Sequence, residues 1–235
     1  MDNQNAFKWK QYQPEIILLT VRWYLRYKLS FRDLVEMMEE RGLSIVHTTI
    51  MRWVHQYSPE LDKRIRCHLK QTNDSWRVDE TYIKVKGQWM YLYRAVDSKG
   101  NTIDFYLSEN RNTKSAKHFF KKALASSHVS IPRVITVDKN PAYPAAIDEL
   151  IEEKKMPEGI QIRQIKYLNN IVEQDHRFIK KRALPMLGFK SFDTATSLLS
   201  GIEAMHMIKK EQIDIQDQSV QNQQAFIHQL FGLAA

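Results

Sequence analysis

The stretch SWRVDETYIKVKGQWMYLYRAVDSKGNTIDFYLSEN, residues 75–110, decides the fold class. It is dense in Val, Ile, Tyr, Trp and Thr, and it is interrupted at KGQ and DSKGN. Side chains of that kind suit a pleated, half-buried surface, and Gly-containing breaks of that length suit tight turns. The stretch is therefore expected to form three antiparallel strands. Downstream, NTKSAKHFFKKALASS reads as a helix, PRVITVDKNP as a short buried strand ended by proline, AYPAAIDELIEEKK as a helix and GIQIRQIKY as a strand. KYLNNIVEQDHRFIKKR, residues 166–182, reads as a basic amphipathic helix. The order βββαβαβα implies an α/β domain, a mixed sheet with helices packed on it.

The residues before this block are helical in pattern. QPEIILLTVRWYLRYK places Pro14 at a first helical position and sets Ile17, Leu18, Val21 and Leu25 on one stripe, with Arg22, Arg26 and Lys28 off it. Ser30 followed three residues later by Asp33 is a capping arrangement, and Gly42 is expected to end that second helix. A third helix, from about His47 to Tyr57, would bury Ile50, Val54 and Tyr57 and expose Thr48, Thr49, Arg52, His55 and Gln56. Two helices joined by a glycine turn, the second with hydroxyl, amide and basic groups outward, fit a helix-turn-helix. A helical hairpin whose polar face meets water fits the same pattern. His47, His55, Cys67 and His68 lack zinc-finger spacing and read as ordinary residues.

Composition narrows the class. The 235 residues are 43% hydrophobic and 11% aromatic, without low-complexity tracts or repeats, as in folded proteins. Runs such as IILL at 16–19 fall short of the roughly 20 apolar residues of a membrane span, and MDNQNAFKWKQ lacks a signal-peptide core. One cysteine, Cys67, allows no internal disulfide and points to a reducing, cytoplasmic setting. The net charge of +8 is uneven: +3 over residues 1–75, +5 over 76–167 and zero over 168–235. Two basic segments suit a polyanionic partner. The expected division is a helical DNA-binding domain at 1–73, a catalytic domain at 74–210, and a tail at 211–235 without an interpretable motif.

Three carboxylates stand where open α/β sheets collect function, at strand ends and on the helix that follows the last strand. Asp79 lies within the first strand, Asp138 ends VITV, and Glu173 sits near the start of the basic helix. Such hard oxygen donors suit magnesium, and a pair of ions drives in-line phosphoryl displacement. At about 100° per residue, His176, Arg177 and Lys180 share the side of Glu173, so the helix can offer a metal ligand and phosphate contacts together. Each acid also has a plain reading: Asp79 in an exposed carboxylate pair with Glu80, Asp138 in a turn, Glu173 in a helical salt bridge.

WRVDETYIKVKG, VITVDKNPAY and KYLNNIVEQDHRFIKKR together resemble the three catalytic blocks of DDE transposases. With the helical head, the chain is similar to those of small bacterial insertion sequences of family six, the cointegrate-forming kind. The 34 residues between Asp138 and Glu173 match that family's spacing, and Lys180 matches its basic residue seven positions after the glutamate. The resemblance spans about residues 12–210. It implies an RNase H-like (integrase-type) catalytic domain, with Asp79, Asp138 and Glu173 as the metal-binding triad and Lys180 completing the catalytic set. It further implies two Mg2+ or Mn2+ ions, binding to terminal inverted repeats and target DNA, 3′-end nicking, strand transfer, and a homo-multimer of at least two copies. Thr48, Thr49, Arg52, His55, His176, Arg177 and Lys180 are the expected DNA contacts. Two other readings remain at this point: a catalytically silent helix-turn-helix regulator on the same scaffold, and a structure-selective nuclease. Residues 191–210 form a further helix with Leu198, Ile202, Met205 and Ile208 at helical spacing, read as core packing or a subunit contact.

Overall fold

The computed structural model describes residues 6–183, 189–215 and 217–233. Contacts within the chain divide it into two compact units, Met1–His68 with Ser191–Ala235, and Leu69–Lys190. This departs from the expected 1–73, 74–210 and 211–235 division, because residues beyond 190 join the N-terminal helices rather than the sheet.

The helical unit contains α1 (Pro14–Arg26), α2 (Phe31–Glu39), α3 (His47–Ile65), α7 (Phe192–Lys209) and α8 (Val220–Leu230). The Ser30 hydroxyl accepts from the Asp33 N–H while the Asp33 carboxylate accepts from the Ser30 N–H, closing the capping box. Gly42 follows α2 at φ +74°, a left-handed conformation that glycine takes without steric cost. Ile17, Leu18, Val21 and Leu25 are buried as a stripe, but Arg22, expected off it, is only 4% exposed.

Helix α3 runs eight residues beyond the expected end at Tyr57, through Pro59. Proline lacks an N–H, which leaves the His55 carbonyl without its helical donor. The Ser197 hydroxyl of α7 donates to that carbonyl at 2.9 Å, and buried Leu61 and Ile65 continue the apolar stripe. Helix α7 is buried along most of its length, so its apolar spacing serves core packing. Gly201 sets the approach: a Cβ there would lie 2.6 Å from the Ser58 Cβ and 2.8 Å from Leu25 Cδ1.

The second unit is the mixed sheet. Its strands are β1 (Ser75–Val85), β2 (Gln88–Asp97), β3 (Thr102–Ser108), β4 (Val134–Thr136) and β5 (Gln161–Arg163), in the order β3-β2-β1-β4-β5. The first three are antiparallel, and β4 and β5 run parallel to β1. That order, with helices α4 (Thr113–Leu124), α5 (Ala142–Glu152) and α6 (Asn170–Ala183), is the RNase H-like arrangement, and the element sequence is the expected βββαβαβα. Lys86 and Gly87 both have positive φ and form a two-residue turn that matches the right-handed twist of the strands. The Asp97 carboxylate accepts the N–H groups of Lys99 and Asn101 and closes the second turn. One face of the sheet, with Trp76, Val78, Tyr93 and Ala95, is packed against Phe119, Phe120, Ile147 and Leu150 of α4 and α5.

Candidate active site

The period of two along β1 sends neighbouring acids to opposite faces, Asp79 toward α6 and Glu80 toward α4 and α5. Asp138 follows β4, the parallel neighbour of β1, so both carboxylates arrive at the same end of adjacent central strands. Ligand oxygens of Asp79, Glu80 and Asp138 all lie within 4.8 Å of one another. Glu173 is exposed in the first turn of α6 and lies outside that tight group, yet its charge is felt at Asp79. Burial, reinforced by the charges of Glu80, Asp138 and Glu173, pushes Asp79 up to about 7. Three acidic side chains from two separate segments thus crowd one site, and Glu173 adds its charge from α6. Mutual repulsion of that kind is relieved by a divalent cation, and an all-oxygen donor set suits a hard one, so the residues fit metal binding.

Helix α6 is fastened beside Asp79 at several points. The Asn169 amide donates to the Val78 carbonyl at 3.2 Å, and Val172 and Ile179 are buried. Arg94 pairs with Asp79 across the hairpin and makes a 2.7 Å ion pair with Asp175 of α6. His176, expected among the phosphate contacts, is instead 4% exposed, with Nδ1 3.7 Å from the Asp79 carboxylate. Burial and the Arg94 charge lower it to about 3, so it is neutral at physiological pH and packs beside the Asp79 carboxylate inside the fold. Arg177 and Lys180 are exposed on α6, one and two turns beyond Glu173.

Glu80 is not half of an exposed pair. It is buried, accepts hydrogen bonds from the Tyr143 hydroxyl and from Arg111 Nε, and has the Asn140 amide 3.4 Å away. Arg111 also donates to Asp138 Oδ2 at 2.9 Å, while the Asn140 N–H donates to Asp138 Oδ1 at 3.0 Å. Burial works against the Arg111 charge, but Glu80 and Asp138 outweigh it and raise its pKa. Burial and Glu80 hold the Tyr143 phenol well above its ordinary range, keeping it a donor. Arg111 is therefore a clamp that spans the two carboxylates and orients Asp138. Sequence reading missed Arg111 and Arg94, although a two-residue turn at Lys86–Gly87 already sets Arg94 opposite Asp79.

In the helical unit, Thr48 and Arg52 are exposed near the start of α3 and Thr49 and His55 are partly buried. Burial lowers the His55 pKa, so its imidazole is a neutral hydrogen-bonding group. Among the described residues, no helix is long and apolar enough to cross a membrane.

Comparison with known proteins agrees with this geometry. Residues 73–212 match a family model described as a DDE domain. The transposase for insertion sequence-like element IS431mec of Staphylococcus aureus (strain N315) is 39% identical over 207 residues, covering 88% of this chain and 90% of the relative. The transposase for insertion sequence element IS257 in transposon Tn4003, also from Staphylococcus aureus, is 38% identical over 207 residues with the same coverage. Among solved structures, the catalytic core domain of HTLV-2 integrase in its dimeric form gives a TM-score of 0.45 at 16% identity, covering 63% of this chain and 93% of that one. At that likeness the fold rests on the strand order rather than on the overlay.

Proposed function

Because this chain belongs to the DDE transposases of family-six insertion sequences, we propose that Asp79, Asp138 and Glu173 are its metal-binding catalytic triad. The close approach of Asp79 on β1 to Asp138 after β4, with the charge of Glu173 at the start of α6 acting on Asp79, supports this reading. Bound there, magnesium or manganese, as a pair of ions, supplies an activated water or DNA hydroxyl and charge compensation at the leaving oxygen. Asp79 is fixed on the central strand beside His176. Asp138 is turned into the site by Arg111 and the Asn140 N–H, and Glu173 closes it from the exposed side. Arg177 and Lys180 extend along the same helix and meet the backbone phosphates of the reacting strand.

In this reading Thr48, Thr49, Arg52 and His55 contact the terminal inverted repeats through the start of α3. The reaction is 3′-end nicking followed by joining to target DNA. Pairing two element ends requires at least two copies of the chain, and the work is done on DNA in the cytoplasm.

The test uses purified protein with Mg2+ and labelled duplexes, one ending in the element's own repeats and one scrambled. Asp138→Asn is expected to abolish nicking of the repeat duplex and to leave its binding nearly intact. Nicking retained in that variant would remove Asp138 from the site. Specific binding without metal-dependent cleavage by the wild-type protein would instead leave the silent regulator.

A further inference from the structure

We propose that the open face of the β1–β2 hairpin is a stacking platform for unpaired bases of the DNA strand that enters the carboxylate site. The proposal rests on the transposase reading for its ligand, but its geometry is independent of the metal chemistry. The pairing register sets Tyr82 opposite Tyr91 and Lys84 opposite Trp89, two positions and four positions along the same face as Glu80. Up to Glu80 that face is covered by α4 and α5, and beyond it the covering thins: Tyr91 is partly buried against that core, whereas Tyr82, Lys84 and Trp89 are exposed. Trp89 is 61% exposed and Tyr82 47% exposed, among the largest bare apolar side chains described.

The rings form a continuous surface. Tyr82 meets Tyr91 at 5.4 Å between centroids and Trp89 edge-on at 6.5 Å, and Lys84 Nζ stands 5.9 Å from the centre of the Trp89 ring. Exposed Lys84 and Lys86 flank the aromatic groups, and residues 81–93 contain no Asp or Glu. Arg111, the clamp on Asp138, lies close enough to Tyr82 for the phenol to influence its charge. The strip therefore leads from Glu80, the acid of the group that faces α4 and α5, outward through Tyr82 and Tyr91 to Trp89.

Charge decides the occupant. A surface that pairs with another protein depletes lysine at its centre, whereas aromatic rings between lysines, without carboxylates, match bases and phosphates. Four residues of strand from Glu80 to Lys84 span about 13 Å, the rise of about four stacked nucleotides. A double helix keeps its base faces covered, so the rings are open to a strand end that has come unpaired next to the scissile phosphate.

The test is binding by the full chain, without metal, of a mixed-sequence single-stranded 12-mer and of a blunt repeat duplex, followed by anisotropy and tryptophan fluorescence. The 12-mer is expected to quench wild-type fluorescence, and Trp89→Phe is expected to lose that quench while holding most of the affinity. Trp89→Ala and Tyr82→Ala should each weaken the 12-mer by about 5- to 150-fold and leave duplex affinity nearly unchanged. Lys84→Gln should flatten the salt dependence of 12-mer binding. Equal affinity in all variants, or equal losses on the 12-mer and the duplex, would overturn the proposal. Conversion of a multimer to a monomer by Trp89→Ala, with 12-mer affinity unchanged, would also overturn it and give the face to a second copy. Because no cleavage is read, a protein that fails to nick still answers this question, and thermal unfolding of each variant controls for fold.

Discussion

The helical unit and the sheet unit hold their parts in place by different forces. In the helical unit α7 closes on α1 and α3 mainly through apolar side chains, with Arg22, Glu203 and His206 also buried and Gly201 allowing a contact too tight for any side chain. In the sheet unit the decisive side chains are charged, and they hold each other: Arg94 with Asp175, Arg111 with Glu80 and Asp138. Packing sets shape without regard to charge, whereas paired charges set shape and leave a residual field. A substitution in the α7 seam therefore acts on stability alone, and one among the paired charges of the sheet unit also acts on the field at the carboxylates.

The largest break in that contrast is expected at Gly201. Gly201→Val places side-chain atoms against Ser58 and Leu25 and should cost about 1–3 kcal/mol or more, read as a lower unfolding temperature. Mn2+ is expected to stabilise the sheet unit of this variant as much as that of the wild-type protein, an effect that thermal unfolding with and without the ion would read. Its loss would mean that the two units do not respond separately.

A smaller effect sharpens the comparison within the helical unit. Arg52 is exposed at the start of α3 and takes no part in the seam. Arg52→Ala should leave the unfolding temperature unchanged and weaken repeat binding by about 1–3 kcal/mol, with relaxed preference at one base position. An equal loss on random DNA would make Arg52 a phosphate contact.

A third contrast concerns pH and belongs to the sheet unit alone. Asp79, raised to about 7, binds a proton more tightly folded than unfolded, so its contribution to stability falls as pH rises from about 4 to 7. His176, lowered to about 3, binds it less tightly folded, so its contribution rises with pH from about 3 to 6.5. The two sit 3.7 Å apart and cancel over most of that window. In metal-free protein, His176→Gln should unmask a stability that declines toward neutral pH, and Asp79→Asn one that increases. Parallel slopes in the two variants would show that the two groups do not titrate in opposition.

Much of this was legible in the chain. The KGQ break fixed a two-residue turn, and with it the pairing of Asp79 with Arg94 and of Lys84 with Trp89. Ser30 and Asp33 announced a helix start, and Gly42 its end. Other features were not local. Pro59 signals a helix end, yet α3 continues through it, with Ser197, far along the chain, donating to the His55 carbonyl that the proline leaves unpaired and Leu61 and Ile65 buried beyond it. His176 has the spacing of a phosphate contact, but tertiary packing turns it inward onto Asp79. Glu80 looks like an exposed neighbour of Asp79 until Arg111 and Tyr143 are seen to reach it.

By itself, then, the sequence determined the strand and helix order and the tight turn of the first hairpin, and it singled out Asp79, Asp138 and Glu173 as the candidate ligands, because turn chemistry, periodicity and motif spacing act over a few residues. The tertiary structure alone decided which acids crowd together, which basic groups face solvent, and that the residues after 190 complete the N-terminal helical unit. Those outcomes depend on burial and on partners 30 to 170 positions away, such as Arg111 with Glu80 and Arg64 with the Leu230 carbonyl, and separations of that kind leave no local trace.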